Sequence, residues 1–512
     1  MRTTTILPAP VVRTPARVSP QARLLLAGAG LGVAVDLLFY GQALGISLPL
    51  FVLLVLGALF GLSRVQDVRP VWRNLWLIVP LIFFAGMVAV RANAFLTALN
   101  VLATLALLGL LAYFYAAGRV ERLDLIGYPL ALLAVLGNAL LQPAPLVPAT
   151  VEVARGHRRG MGPLWPVLRG LALALPVLLV FSALLASADA VFAGYLGALL
   201  RFNLPDFGDL FVQGMIVTAA GWFLAGALVY ALRRPAAGDA FPWEPETTAL
   251  RRLVSLGFVE VVTILSAVDL LFLAFGAIQF AYLFGGRANI TLTGFSYADY
   301  ARRGFFELVA VSVLTLGLIL GLQWLVRPRT PGQTRLFNGL STLMIGLVLV
   351  LLASALQRMV LYEEAYGYTH LRLYVHVFML WLAATFLWLL GTLLVRPRRF
   401  AIGAFVCALG FLGTLNVVNP DATIARENLG RYHATARLDA AYLSDLSADA
   451  VPLLVANLDT LQGEEREVLR LRLLALAQRT PAPGTQTWPA FHLARQAAAT
   501  VLGENRARLE QP

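Results

Sequence analysis

The residues best suited to chemistry are ionisable side chains inside otherwise apolar runs. They are Asp36, Arg169, Glu260, Asp269 and Glu307. Such groups are costly in hydrocarbon unless they face a cavity or a partner, so they suit a proton- or cation-coupled pathway. Glu260 and Asp269 share one predicted helix, but their spacing places them on opposite faces, so they cannot form a carboxylate pair. A structural ion pair with Arg169 or another arginine is the alternative interpretation.

A polar and aromatic block precedes the apolar run that contains Glu307. The block is TGFSYADYARRGFFELVAV, residues 293–311, and its candidate ligand contacts are Tyr297, Asp299, Arg302, Arg303 and Glu307. Arg303 is four residues before Glu307, so the two side chains face one another if the helix has already begun there. Tyrosines in this position suit the headgroup level of a bilayer. The block therefore predicts at least a charge-compensated start of a membrane helix.

A second block, SALQRMVLYEEAYGYTHLRLYVH at residues 354–376, lies between two long apolar runs. Its candidate site residues are Arg358, Glu363, Tyr366 and Arg372. Aromatic faces combined with charged groups suit a sugar, a peptide or a lipid headgroup. An interfacial aromatic belt with local ion pairs accounts for the same composition. Both interpretations stay open from the sequence.

Known catalytic and metal-binding patterns are absent from the sequence. It has no phosphate-binding Walker motif, no HExxH and no Gly-x-Ser-x-Gly elbow, and its histidines do not cluster at metal-ligand spacing. Cys407 is the single cysteine, which excludes an intrachain disulfide or a cysteine-based metal site. We therefore predict no metal and no cofactor, and the sequence leans against an enzyme.

The composition predicts an all-α, polytopic membrane protein. The chain has 512 residues, 13% of them charged, with a mean hydropathy of +0.76. A bilayer core about 30 Å thick needs roughly 20 apolar residues per helix. Candidate spans lie at 22–40, 44–63, 75–91, 95–117, 124–142, 163–186, 207–232, 254–284, 304–326, 336–357, 373–395 and 401–418. This gives 11 or 12 transmembrane helices, followed by a small helical C-terminal region.

The net charge of +12 does not indicate nucleic-acid binding. The sequence from Pro420 onward contains 10 arginines and 11 acidic residues, so the positive excess lies in residues 1–419. Arginines in cytoplasmic loops between membrane helices account for such an excess. We therefore expect residues 1–21 to be a cytoplasmic leader and the lipid bilayer to be the main partner of the chain.

Arginine-rich loops alternate with arginine-poor loops in both halves of the chain. If every candidate span crosses the bilayer, however, the arginine-rich loops of the two halves fall on opposite sides of the membrane. The disagreement falls on residues 124–148, which are rich in glycine and proline. A re-entrant or interfacial segment there would reconcile the halves, and an ordinary twelfth span is the alternative. The predicted regions are thus 22–162 with the re-entrant candidate, 163–418, and a helical region at 419–512. The stretch NPDATIARENLGRY, 419–432, predicts a turn and a new helix.

Several motifs, in this order, resemble the bacterial multi-pass membrane family known as domain of unknown function four-one-seven-three. They are SADAVFAGYL at 187–196, SYADYARRGFFELVAV at 296–311, LQRMVLYEEAYGYTHLR at 356–372, NPDATIARENLGRY at 419–432 and LDAAYLSDLSADAVPLL at 438–454. The resemblance implies an integral membrane protein of the bacterial plasma (inner) membrane, without an assigned activity. It brings no catalytic residues.

The leading functional prediction is a membrane protein that binds or transports a small or amphipathic ligand near residues 297–307 and 358–374. A scaffold or sensor that docks a protein partner through its C-terminal helices is the second hypothesis. A lipid- or glycan-modifying enzyme is the third, and it would need a convergent polar pocket with a candidate base.

Overall fold

The computed structural model describes residues 19–146, 189, 207–233, 257–284, 305–326, 330–395, 399–481, 484–485 and 487–511. These residues form α-helices, short 3₁₀ turns and connecting loops, without a β-strand among them. This confirms the all-α prediction. The candidate span 163–186 and most of the block 293–311 lie outside the described residues.

The described chain contains helices α1 Pro20–Phe39, α2 Ser47–Val65, α3 Ile78–Met87, α4 Ala94–Phe114, α5 Gly127–Leu141, α6 Phe207–Leu232, α7 Phe258–Phe284, α8 Phe305–Leu325, α9 Pro331–Tyr366, α10 His370–Val395, α11 Phe400–Val418, α12 Pro420–Thr435, α13 Ala440–Ser444, α14 Val451–Ala456, α15 Gly463–Arg479, α16 Leu493–Glu504 and α17 Arg506–Glu510. Turns of 3₁₀ helix cover Trp72–Leu77, Val120–Arg122, Leu458–Thr460 and Trp488–Ala490.

Within the described residues, nine helices are long and apolar enough to cross a membrane. They are α1, α2, α4 and α6 to α11. Two further apolar helices, Trp72–Met87 and Gly127–Leu141, are shorter. The 15 residues of α5 span about 22 Å, less than the hydrocarbon core of about 30 Å. The 36 residues of α9 span about 54 Å, so this helix extends beyond such a core.

The helices divide into two compact units. The first contains α1, the second part of α2, the end of α5 and α6. Its helices α1 and α6 approach closely at small residues: a Cβ on Gly28 would lie 2.5 Å from the Ala225 Cβ, and one on Gly32 would lie 2.3 Å from the Val217 carbonyl oxygen. Small residues let the two backbones approach closely. In lipid, where no hydrophobic effect drives helices together, van der Waals packing of this kind favours their association.

Two hydrophobic cores can be followed among the described residues of the second unit. Helices α7 to α10 bury one core, around residues such as Leu265, Met344 and Phe386. The helices from α12 to α17 bury the other around Ile424, Leu469 and Leu502, and Leu373 of α10 also belongs to it. The C-terminal helices therefore pack against the start of α10 as well as against each other. We call residues 420–511 the C-terminal region.

Two ends can be distinguished within this second unit. At one end, the loops before α2 and α4 and the start of α10 contact the C-terminal region. Ile46 bonds to Phe491, Ala89 bonds to Leu493, and His370 bonds to Asp421 and Tyr442. At the opposite end, the Val71 N–H donates to the Tyr115 carbonyl, and Trp76 and Tyr128 contact Phe405 at the start of α11. The amide of Asn338 donates to the Leu393 carbonyl, which brings the start of α9 to the end of α10.

Candidate functional site

A buried carboxylate lies in the last turn of α9. The Glu363 side chain is 0% exposed, and its Oε2 accepts a hydrogen bond of 3.1 Å from Nδ1 of His376 on α10. The imidazole must carry its proton on Nδ1 to donate in this way. The other oxygen, Oε1, has no hydrogen-bond partner in the described part of the chain. A buried acceptor without a partner costs about 1–3 kcal/mol, so a donor that reached Oε1 would relieve that cost.

An aromatic and cationic rim is formed by residues next to Glu363 on α9 and by Arg372 of α10. The Arg372 guanidinium lies over the Tyr362 ring at 4.1 Å and over the Tyr366 ring at 6.0 Å from its centroid. The two tyrosine rings are in edge contact at 5.1 Å. Cation–π contacts of this kind contribute about 0.5–1 kcal/mol at exposed sites. We call Glu363, His376, Tyr362, Tyr366 and Arg372 the Glu363 site.

The turn between α9 and α10 is held by α12. Asn428 pairs with the Tyr368 backbone in both directions, donating at 2.8 Å and accepting at 2.9 Å. Arg431 donates to the carbonyl oxygens of Glu364 and Ala365 at 3.1 Å and 2.8 Å. Gly367 ends α9 with φ of +79°, a conformation that favours glycine. Its carbonyl also accepts a hydrogen bond from Arg372 of the rim.

A second polar cluster joins the C-terminal region to the membrane helices. Asp421, in the first turn of α12, accepts from His370 Nε2 at 2.5 Å through Oδ1. Its Oδ2 accepts from the Asn93 amide at 2.9 Å and from the Ser447 hydroxyl at 2.7 Å. The Tyr442 hydroxyl lies 3.2 Å from the other ring nitrogen of His370 and accepts from its backbone N–H at 3.0 Å. We call these five residues the Asp421 network.

The electrostatics of this network favour the ionised carboxylate. Burial alone would raise the pKa of Asp421, but hydrogen bonds from His370, Ser447 and Asn93 outweigh it and lower the pKa. Burial raises the pKa of the Tyr442 hydroxyl, against the hydrogen bond from the His370 backbone. Tyr442 is therefore protonated at neutral pH and can donate to His370. An Asp–His–Tyr chain of this kind can hold a proton in a defined position.

A chain of hydrogen bonds continues from the network toward the membrane helices. Asp449 accepts from the Ala92 N–H at 2.6 Å and forms an ion pair with Arg91 at 3.5 Å. Arg91 Nε donates to the Asn416 carbonyl at 2.8 Å. The side chains of Asn416 and Asn100 are buried and exchange two hydrogen bonds of 2.8 Å between α11 and α4. Such satisfied polar contacts fix one relative position of the helices.

A family model described as Domain of unknown function (DUF4153) matches residues 78–457, well over half of the chain. The chain belongs to this family. The prediction of a membrane family without an assigned activity is confirmed, and the family number is 4153, where the motifs had suggested four-one-seven-three. No curated protein and no solved structure matches the chain significantly. The DUF4153 match contains the Glu363 site and the Asp421 network and ends before α15 to α17.

The structure brings together only part of the predicted site. Arg372 contacts the Tyr366 ring, and Glu363 lies three residues before Tyr366 on α9, bonded to His376. Arg358 lies buried five residues before Glu363 on the same helix. The other predicted residues that are described lie on different helices: Glu260 and Asp269 on α7, and Glu307 on α8. Tyr297, Asp299, Arg302 and Arg303 lie outside the described residues.

The three carboxylates on α7 and α8 differ in environment. Glu260 is exposed and accepts from the Gly257 N–H at 2.8 Å, so it caps the start of α7. Glu307 is exposed in the first turn of α8. Asp269 is only 3% exposed, and neither of its oxygens has a hydrogen-bond partner in the part of the chain described. Of the three, Asp269 alone retains the character of a buried intramembrane acid.

Sequence reasoning missed most of the Asp421 network. Asn93 lies more than 300 residues before Tyr442 and Ser447, and none of the three interrupts a long apolar run. The available signal is the turn at 419–421, which places a carboxylate in the first turn of a new helix, but this pattern by itself predicts only a helix start. That start is correct, since α12 begins at Pro420, although the Asn419 side chain makes no capping hydrogen bond.

Proposed function

We propose that this DUF4153 protein is a multi-pass membrane protein that binds a small or amphipathic ligand at the Glu363 site and moves it across or along the membrane. The observation that carries the proposal is the unpartnered Oε1 of a completely buried glutamate, within the described residues. A buried carboxylate oxygen without a hydrogen-bond donor lowers the stability of the protein. Functional sites commonly accept costs of this kind.

The chemistry of the site favours a ligand with a hydrogen-bond donor, such as an ammonium or hydroxyl group. Glu363 offers an acceptor, and the Tyr362 and Tyr366 rings offer apolar faces beside it. Aromatic faces near a carboxylate suit cationic or sugar-like groups joined to an apolar body. The end of α9 lies beyond a 30 Å core if its middle is centred in the bilayer, so amphipathic molecules could enter from the headgroup level.

The binding test compares two neighbouring glutamates. Glu363→Gln removes the buried acceptor charge, whereas Glu364→Gln changes an exposed residue one position later. Purified full-length protein is titrated with tetramethylammonium, dodecylamine, glucosamine and octyl glucoside, and binding is followed by calorimetry. At least one probe should bind to the wild type and to Glu364→Gln, and its affinity should fall about tenfold or more in Glu363→Gln. Equal loss in both variants, or no binding by any probe, contradicts the proposal.

The transport part of the proposal concerns the intramembrane acid. Asp269→Asn keeps the shape of the side chain and removes its ability to exchange a proton. We expect slower solute-driven proton uptake into liposomes for Asp269→Asn, with Glu260→Gln as the control because Glu260 is an exposed cap. A pH-sensitive dye inside the liposomes reports the proton flux that accompanies any ligand identified by the binding test. Unchanged flux in Asp269→Asn would leave binding without proton coupling.

A scaffold role is the second candidate function. Helix α15 exposes Leu471 and Leu476, with 49% and 38% of their surfaces accessible, on a region otherwise rich in charge. Exposed apolar side chains on such a helix suit a protein partner. Substituting both leucines with glutamate should abolish co-purification of that partner while the protein remains in the membrane. Unchanged co-purification excludes α15 as the docking surface.

A further inference from the structure

The segment from Thr487 to Arg495 is attached to the loops between membrane helices. The Ile46 N–H, just before α2, donates to the Phe491 carbonyl at 2.9 Å, and the Leu493 N–H donates to the Ala89 carbonyl at 2.8 Å. Thr487 also contacts Gln42 through a hydrogen bond. A Cβ on Gly45 would lie 2.3 Å from the Phe491 carbonyl oxygen, so the two backbones are in direct contact. The segment therefore lies at the level where α2 begins and α3 ends.

Side chains of this segment alternate between buried and exposed positions. His492 is buried, its Nδ1 accepts from the Arg495 N–H at 3.4 Å, and its ring also has the Arg91 backbone as a partner. The apolar neighbours point away from the protein: Trp488, Phe491 and Leu493 are 64%, 41% and 55% exposed. Three large apolar side chains are thus exposed around the buried His492. Exposure of such an apolar patch to water is unfavourable.

We propose that Trp488, Phe491 and Leu493 form an interfacial anchor that inserts into the headgroup layer of the same bilayer that the apolar helices cross. The occupant of this surface is lipid, because the segment is bonded to the ends of membrane-crossing helices and is thereby held at that depth. Trp and other amphipathic or apolar side chains are favoured at this level.

The surroundings of the anchor match a lipid interface. Leu44, in the loop before α2, is also exposed and lies next to Gly45, whose backbone contacts the segment. An apolar surface thus extends from the start of α2 onto the C-terminal region. Arg495 donates to the Leu44 carbonyl at 3.4 Å, which places a guanidinium where lipid phosphates would lie.

The function of the anchor is to seat the C-terminal region on the membrane. The Asp421 network holds this region at the start of α10 and at Asn93 before α4, and the segment 487–495 holds it at the loops before α2 and α4. Insertion of the three apolar side chains would add lipid contact to the second attachment. This inference depends on the membrane location and is independent of the ligand proposed for the Glu363 site.

Depth measurement by spin labelling tests the anchor. In full-length protein with Cys407→Ser, single cysteines replace Trp488, Phe491 or Leu493 and carry a nitroxide. Leu471→Cys on α15 is the control, since Leu471 has a similar exposed fraction of 49%. The proteins are reconstituted in vesicles of phosphatidylcholine with phosphatidylglycerol, and collisions with oxygen and with a water-soluble nickel chelate are measured.

The proposal requires a severalfold higher ratio of oxygen to nickel collisions at the three anchor positions than at position 471, because oxygen concentrates in the bilayer and the chelate stays in water. Equal ratios at all four positions would place the segment in water and overturn it. Shielding of the anchor labels from both reagents would show that a protein surface covers them, and would overturn it equally. The three positions are read separately, and each labelled protein must retain the wild-type unfolding temperature.

Discussion

Asp421 is completely buried and yet holds its carboxylate in the ionised form. Three hydrogen bonds to this one group, from His370, Asn93 and Ser447, overcome the burial that would otherwise raise its pKa. A carboxylate whose pKa is lower in the folded than in the unfolded state contributes stability that is fully present above the unfolded value. That contribution is lost as the pH falls below about 4 and through the folded value.

The first prediction concerns this pH dependence. In the wild type, hydrogen exchange of the α12 amides should accelerate as the pH is lowered below about 4, after correction for the intrinsic exchange rate. Asp421→Asn should weaken the attachment of α12 by about 1–3 kcal/mol at neutral pH and should flatten the response to acid. Asp445→Asn, at an exposed position of the same region, is the control and should behave as the wild type. A steep acid response that persists in Asp421→Asn would assign it to another group.

Residues of this kind were the hardest to find from the sequence. Glu363, Tyr366 and Arg372 are close along the chain and conspicuous between apolar runs, so their composition predicted a polar cluster. Asn93 and Asp421 are 328 positions apart, and only the packing of α4, α10 and α12 brings them together. Nothing local in either stretch encodes that distance, because a short polar loop and a helix start are common in any membrane protein.

Helices were predicted well where hydrocarbon length determines them and less well where polar residues extend them. The predicted span 401–418 corresponds to α11, Phe400–Val418, whereas the predicted span 336–357 is the middle of α9, Pro331–Tyr366. A capping box between Thr330 and Gln333 starts α9 well before its apolar run. Hydropathy marks the bilayer boundary, but helical hydrogen bonding continues beyond it until a cap or a glycine ends the helix.

The second prediction concerns the element that ends α9. A Cβ at Gly367 would lie 2.4 Å from Asn428 Oδ1, and the residue has φ of +79°. Gly367→Ala should therefore lower the stability of the turn by about 1–3 kcal/mol and weaken its contact with α12. Gly430→Ala is the matched control, because Gly430 lies within α12 and no atom lies within 4 Å of its added Cβ. It should be neutral or stabilise by up to about 1 kcal/mol.

Thermal unfolding in detergent and the rate of proteolysis between α9 and α10 measure both glycine variants. Gly367→Ala should unfold at a lower temperature and be cleaved faster. If the two variants unfold at the same temperature, the turn does not depend on the left-handed backbone of Gly367, and the clamp by Asn428 and Arg431 contributes little.

The two ends of the second unit differ in their arginine content. The end opposite the C-terminal region includes Arg73, Arg119, Arg122 and Arg399, near the 3₁₀ turns and the start of α11. Loops rich in arginine face the cytoplasm, so we propose that this end is cytoplasmic and the C-terminal region extracytoplasmic. One end of the second unit contains residues 120–122, the start of α9 and the start of α11. Because the chain leaves this end at residue 123 and is back at it by residue 330, it crosses the bilayer an even number of times in between.

Five candidate spans lie between those two points, at 124–142, 163–186, 207–232, 254–284 and 304–326. An even number of crossings means that an odd number of the five, and so at least one, does not cross. Helix α5 is the shortest of those described, at 15 residues, and its first turn stays at the arginine-rich end through the stacking of Tyr128 on Phe405. This supports the proposal that residues 124–148 form a re-entrant or interfacial segment.

The third prediction tests this topology with single cysteines in the Cys407→Ser protein. An impermeant thiol reagent applied to intact cells should label Glu364→Cys and Glu427→Cys, both at exposed positions at the end that holds the C-terminal region. Arg122→Cys and Arg399→Cys should react only after the cells are permeabilised. Glu364 is used in place of its neighbour Gly367, whose backbone would strain any side chain.

Gly156→Cys decides the remaining question, because this position follows the segment 124–148 directly and lies among Arg155, Arg158 and Arg159. If the segment does not cross the bilayer, Gly156→Cys should remain unlabelled in intact cells, together with Arg122→Cys. Labelling of Gly156→Cys from outside, with Arg122→Cys protected, would show that α5 crosses. A different one of the five candidates would then have to be the segment that does not cross before residue 330. The arginine cluster at 155–159 would lie outside, as an exception to the charge rule.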